Sequence, residues 1–426
     1  MKRISAYIVA ALMLASCSFK ETQYIDFDSI EYTPGMFKAI SQNNIDLAMG
    51  IPDNTTLPDG TPVNEYIEEC MTDTKATSFG ASDFLQNFLK WSTQGNVIEI
   101  SGIYQSFDDY GKPVTLSGKV VLPKDKPVKR VILVSHYTIG TIAESPSNIF
   151  PLEGQLAQMG YAMVIPDYIG YGVTSDRYHP YLMMELTAHN VIDMYRAVKP
   201  FLKAIGKEPV YDDIDLMGYS QGGGTTLAVQ YMIETLYGPK NNEHIKINTV
   251  FAGGGIYDIK ATFERFIDTN HASYPVGVPF VIVGQVKGNH LPDEYIDKLL
   301  RPEIARNVEE WFLRKKIPTL KINTLINTKK TDEILSPLAL DRTSTEISEL
   351  YKCMSKNSVL SLSWKPEAPI YMLHSIDDDT VPFENASRAK ERWPEANIQY
   401  NFGHYGNHVF CCLRFIYTVK TLLEYE

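Results

Sequence analysis

Runs of basic residues are missing from the body of the chain. Lys+Arg total 40 against 51 Asp+Glu, a net charge of −11, and such a surface repels a phosphate backbone, so no nucleic-acid partner is expected. The apolar run near the N-terminus, residues 4–15, is shorter than the roughly 20 residues a helix needs to cross the hydrocarbon layer, which disfavours a permanent transmembrane helix. Cysteine is scarce, five in 426 residues, too few for a disulfide scaffold. Neighbouring Cys411 and Cys412 would point to different sides of a helix, so a bridge between them would be strained; an oxidising compartment permits a bridge among Cys70, Cys353, Cys411 and Cys412, and the sequence selects no particular pairing. Internal repeats and low-complexity linkers are absent too. What remains is 44% hydrophobic and 21% charged, a composition that excludes a disordered, collagen-like or polytopic membrane chain. By length two or three domains are expected, although one decorated α/β unit can fill the same span.

Residues 1–17 read MKRISAYIVAALMLASC: Lys2 and Arg3, an apolar run, then small residues before Cys17. That order is a secretory signal. Leu14-Ala15-Ser16-Cys17 resembles the lipobox of bacterial lipoproteins, which implies acylation at Cys17 and a membrane held through that lipid; the alternative is an ordinary signal peptide whose cysteine is incidental. Ser18 stands where inner-membrane retention is associated with aspartate, so the resemblance implies an outer-membrane lipoprotein, on its periplasmic or its cell-surface face.

Residues 18–95 read as a polar N-terminal extension with a helical stretch around 67–91. From residue 96 strands and helices alternate, the pattern of a mostly parallel, doubly wound sheet with helices on both faces. Segments 97–104 and 115–122 should pair as an antiparallel hairpin, and the near-continuous apolar runs at 130–135, 162–166, 214–219, 247–252 and 368–373 are strands covered on both sides. Helices are expected at 152–159, 185–202, 225–236, 386–393 and 409–423, with a last strand at 397–400. Between 260 and 365 the rhythm breaks into helical segments and loops, an insertion of the kind that forms a lid. The expected units are therefore 1–17, 18–95, a core in two parts at 96–259 and 366–426, and the lid at 260–365.

Gly218-Tyr219-Ser220-Gln221-Gly222 fits G-x-S-x-G. It follows a strand and precedes a helix, the setting in which the glycines permit a strained turn that lifts the serine Oγ above the sheet edge. A phosphate loop would need a Lys-Ser/Thr pair, which is missing. Serine is barely nucleophilic at neutral pH and needs a base within hydrogen-bond reach and an anion to orient that base. Asp377, Asp378 and Asp379 follow the 368–373 strand, and His404 and His408 precede the closing helix. His408 is preferred because Gly406 and Asn407 give it freedom to turn toward Ser220. The two histidines could also hold a metal, but glycines at 403 and 406 argue against a helix there and no third ligand is evident. No metal or other cofactor is expected. An oxyanion hole needs the Gln221 amide and a second N–H from the loop after the 130–135 strand, Tyr137 or Thr138. The tyrosines at 168, 171, 178 and 181 read as loop packing, and Asp167 as a group that fixes the 166–172 loop.

The segments SHYTIG, PDYIGYG, HPYL, GYSQGG and SIDDDTVP, in this order over residues 96–426, resemble secreted lipases and esterases of the α/β-hydrolase superfamily. The resemblance implies the α/β-hydrolase fold with a helical lid and an N-terminal extension. Its D-x-x-V-P spacing selects Asp378, and its position for the base selects His408. It implies hydrolysis of a carboxylic ester, small or glycan-linked, through an acyl-serine, with an apolar, enclosed pocket under the lid. Two other readings stay open: a peptidase using the same triad, and a non-catalytic surface lipoprotein that binds a glycan or a partner.

Overall fold

Runs such as RVILVS, YAMVIP and IDLMGY lack the polar alternation of a half-exposed strand because both of their faces are covered. In the computed structural model, which describes residues 30, 33, 35–72, 81–237, 244–394 and 397–425, they form the middle of one nine-stranded sheet. The strands are β1 (Lys38–Asp46), β2 (Asn96–Phe107), β3 (Pro113–Pro123), β4 (Arg130–Ser135), β5 (Tyr161–Pro166), β6 (Ile214–Tyr219), β7 (Ile247–Gly253), β8 (Ile370–Ser375) and β9 (Ile398–Gly403). Their order across the sheet is β1-β2-β3-β5-β4-β6-β7-β8-β9. The pairs from β5 to β9 are parallel, and β1, β2 and β3 add antiparallel pairs at one edge. This is the α/β-hydrolase arrangement expected from the sequence.

Because side chains alternate across a strand, each strand feeds both cores. Leu216 of β6 packs into one hydrophobic cluster with the helix Met184–Ala204; Met217 and Tyr219 pack into the other with the closing helix His408–Leu423. The order reverses at β4, flanked by β5 and β6, so the connections diverge there and leave a crevice beyond the carboxyl ends of the strands. Ser135 and Gly218 lie side by side in register near those ends.

Several local expectations change. The extension carries β1, which pairs along β2 from Lys38 opposite Ile103 to Asp46 opposite Asn96. An edge strand is held by backbone hydrogen bonds and buries little, so KAISQNNID does not advertise itself. The single helical stretch around 67–91 is two helices, Val63–Thr72 and Ala81–Ser92. Leu152–Met159 winds as a 3-10 helix, bounded by Pro151 and by Gly160 at φ 101°. The helix expected from residue 225 starts at Gln221. Its run of three glycines is poor helix sequence but is required by contact: a Cβ on Gly222 would overlap the Ser135 carbonyl, and one on Gly223 would crowd the Gly253 carbonyl.

Between β7 and β8 the chain forms the helices Ile259–Thr269, Gly277–Gly288, Glu294–Leu299, Thr319–Ile326 and Thr345–Asn357, with shorter turns. Gly277–Gly288 is buried on almost every side, and its Gly284 lies against the Tyr181 backbone. No helix among the described residues is long and apolar enough to cross a membrane. The signal segment and Cys17 lie outside the described residues; among the described residues no disulfide joins Cys70, Cys353, Cys411 or Cys412.

Candidate active site

Ser220 sits at the break between β6 and the helix Gln221–Met232 with φ 58° and ψ −121°. A non-glycine residue pays about 1–3 kcal/mol to hold such a conformation, so the neighbours must enforce it. The Ser220 N–H donates to the Gly253 carbonyl at 3.0 Å, and the Ser220 carbonyl accepts from Gly223 N–H at 3.0 Å. The turn leaves Oγ at the crevice and the start of the helix behind it, where the dipole favours incoming negative charge.

His408 Nε2 lies 2.9 Å from Ser220 Oγ, and His408 Nδ1 lies 2.7 Å from Asp378 Oδ2. Three residues predicted from distant parts of the sequence thus meet in one hydrogen-bonded line. Asp378 is fixed in turn by the Thr380 and Val381 amides, which donate to Oδ1 at 3.0 and 2.8 Å. Burial on its own raises a carboxyl pKa; here the His408 charge and hydrogen bond, then His374 and the Val381 amide, outweigh it and hold Asp378 below the usual carboxylate range. Asn407 caps the closing helix through Phe410 N–H at 2.9 Å, and Tyr219 Oη–H donates to the His408 carbonyl at 2.7 Å.

The alternatives separate in space. His404 is exposed and faces Asp377, with Nδ1 2.9 Å from Oδ1. Asp379 accepts the His408 backbone N–H at 3.3 Å. Thr138 lines the same cavity as Ser220, and its Oγ1 shares a 2.8 Å hydrogen bond with Tyr181 Oη. Tyr137 turns its ring into the opposite core and donates its hydroxyl to the Thr56 carbonyl. Asp167 accepts from Ser117 Oγ at 2.5 Å and Ser147 N–H at 2.8 Å, the loop-fixing role expected of it. Tyr168 stacks on His136 with ring centroids 3.9 Å apart, and Tyr171 donates to the Ile139 carbonyl at 2.5 Å; both are loop packing, whereas Tyr181 reaches the cavity.

Sequence reasoning missed several participants. His374 is buried, with Nε2 3.6 Å from Asp378 Oδ2; burial above all depresses its pKa despite the adjacent carboxylate. Gln221 Nε2 donates to His179 Nε2 at 2.8 Å, while His179 Nδ1 donates to the Ile169 carbonyl at 2.8 Å. Burial pushes His179 down to about 3, so it stays neutral and locks the Gln221 side chain behind the serine. Pro58 and Asp59, from the N-terminal extension, also line the cavity. The HPYL segment was the available signal for His179. For Pro58 and Asp59 there was none.

The cavity has apolar walls that include Leu182, Ile256, Phe263 and Val281. It is not the enclosed chamber expected. Asp379, Asn407 and Leu320 line it and are themselves exposed, so it is an open cleft. The physical reason is that the inserted helices flank the serine and leave the His408 side to a polar loop.

The model of the secretory lipase family matches residues 148–411. No curated protein matches. Among solved structures, the rice cell wall degrading esterase LipA from Xanthomonas oryzae superposes with a TM-score of 0.70 at 19% identity, covering 92% of this chain and 99% of that one. A putative hydrolase from Legionella pneumophila gives 0.67 at 19%, covering 78% and 89%. Candida antarctica lipase A gives 0.52 at 19%, covering 73% of each chain. At these identities the superpositions speak for the fold alone; the family match, which takes in more than half of the chain together with Ser220, Asp378 and His408, carries further, and on it the chain belongs to the secretory lipase family.

Proposed function

We propose that the chain hydrolyses carboxylic esters through an acyl-serine, with Ser220 as nucleophile, His408 as base and Asp378 as the anion that orients it. The observation that carries this reading is the unbroken line from Ser220 Oγ to His408 Nε2 at 2.9 Å and from His408 Nδ1 to Asp378 at 2.7 Å. The Asp378 carboxylate accepts Nδ1–H, which leaves Nε2 as the acceptor for the serine proton. As Oγ bonds to the ester carbonyl carbon, the proton moves to Nε2 and the carbonyl oxygen becomes an oxyanion. The backbone amides of Gln221 and Thr138 hold that oxyanion; Thr138 is favoured over Tyr137 because it borders the cavity. The alcohol leaves with the proton from Nε2. Water then adds by the same route in reverse and releases the acid.

The inserted block at 260–365 acts in this reading as a lid whose apolar helices receive the acyl chain, and the units set out from the sequence stand as its domain plan. Secretion agrees with the family; anchoring to the outer membrane through acylated Cys17 is the finer proposal. Radiolabelled palmitate incorporated into the wild type and lost in Cys17→Ala is the expected result.

Turnover of short-chain 4-nitrophenyl esters tests the reaction. Hydrolysis by the wild type that Ser220→Ala abolishes, with no cleavage of amino-acid anilides, is the result expected. Anilide cleavage in preference to esters would make the chain a peptidase, and the absence of both activities would leave the glycan-binding reading.

A further inference from the structure

Two carboxylates line the cleft beside the serine. Asp59 comes from the N-terminal loop, and Asp379 follows the buried acid of the triad. Asp59 Oδ1 accepts Thr61 N–H at 3.0 Å, and its carbonyl accepts Thr319 Oγ1–H from an inserted helix at 3.2 Å, so the loop is pinned across the cavity. Asp379 Oδ1 accepts the His408 N–H and Thr380 Oγ1–H, both at 3.3 Å. Among the described residues neither carboxylate stands in an ion pair, and no lysine or arginine lines the cleft. Asp378 differs, since its carboxylate is buried and bound to His408 Nδ1 at 2.7 Å. The cleft therefore carries two carboxylates with no cation among its lining residues, and beside its apolar walls their field acts on whatever enters.

The side of the serine that the Asp379 charge covers follows from the chemistry. His408 returns its proton to the departing alcohol, so the alcohol portion of the ester lies on the His408 side, where Asp379 is attached.

We propose that the site selects its esters by the charge on the alcohol portion, taking a cationic alcohol ahead of a neutral one of the same shape and either ahead of an anionic one. This rests on the ester-hydrolase reading above. The same field expels the carboxylate product, which is anionic whatever ester was bound.

The test uses three butyrate esters, of choline, of 3,3-dimethylbutanol as its uncharged isostere, and of 2-hydroxyethanesulfonate as the anion, with acid release followed on the full chain. Two charges several ångströms from the substrate charge predict a kcat/KM ratio of about tenfold between the neutral and the anionic ester at low salt, with the choline ester fastest. That ratio should shrink to within about threefold in 0.5 M NaCl, where screening is strong, and in Asp59→Asn/Asp379→Asn. Equal rates for the three esters at low salt would overturn charge selection and leave ester hydrolysis standing. A ratio unchanged by salt and by both substitutions would also overturn it, since shape would then be the cause. If none of the three is hydrolysed, and none faster than by Ser220→Ala, charge selection falls together with the hydrolase reading.

Discussion

At the scale of single residues, the site depends on which of several similar side chains is held in line with Ser220. His404 and His408 are four positions apart and chemically alike, yet one is exposed beside Asp377 and the other is buried between Ser220 and Asp378. His408→Ala should therefore lower kcat by at least about a thousandfold, while His404→Ala stays within a few-fold of the wild type; ester turnover by the two variants checks this. Asp378→Asn should cost about 10³–10⁴ in kcat, because the amide no longer fixes the tautomer that leaves Nε2 free. The order of these groups was legible in the sequence. Three consecutive aspartates were not resolved by residue type alone and were separated only by the D-x-x-V-P spacing. Tyr137 and Thr138 stayed undivided, since the direction of a backbone amide leaves no mark on the identity of its side chain.

Elements place those residues. The turn at Ser220 works because glycines at 218 and 222 let strand, turn and helix meet without a Cβ between them. Gly222→Ala should destabilise the fold by about 1–3 kcal/mol, the usual cost of overpacking, and a lower urea midpoint at unchanged m value would register it. The central strands were legible as apolar runs because burial on both faces is a property of their own side chains. Strand β1 was not, because its pairing with β2 is made by backbone groups that every sequence carries. The loop that brings Pro58 and Asp59 to the cleft was hidden for a related reason: its position is fixed by contacts with Tyr137 and Thr319, both far away in the chain.

For the molecule as a whole, the cores on either side of the sheet carry its stability, and one of them encloses an acid. Glu153 is buried with an oxygen that has no hydrogen-bond partner, and burial raises its pKa to about 7. A carboxyl raised in the folded state binds its proton more tightly there than in the unfolded chain. The contribution of Glu153 to stability is therefore greatest below the ordinary carboxyl range, falls as pH rises from about 4.5 to about 7, and is level above that. Glu153→Gln should remove this dependence and stabilise the protein by on the order of 3 kcal/mol at pH 8; denaturation midpoints at pH 5 and pH 8 measure it. Asp378 has the opposite sign: its depressed pKa contributes stability that persists above about pH 4 and is lost on further acidification.

In the proposed reaction one oxygen, Ser220 Oγ, is activated by a histidine and a carboxylate that reach it from the far end of the chain. The most direct test is to treat the folded protein with a fluorophosphonate and locate the adduct by peptide mass spectrometry. The prediction is a single phosphonylated site, Ser220, formed rapidly in the wild type and hardly at all in His408→Ala. An adduct on another residue, or labelling of Ser220 at the same rate without His408, would contradict it.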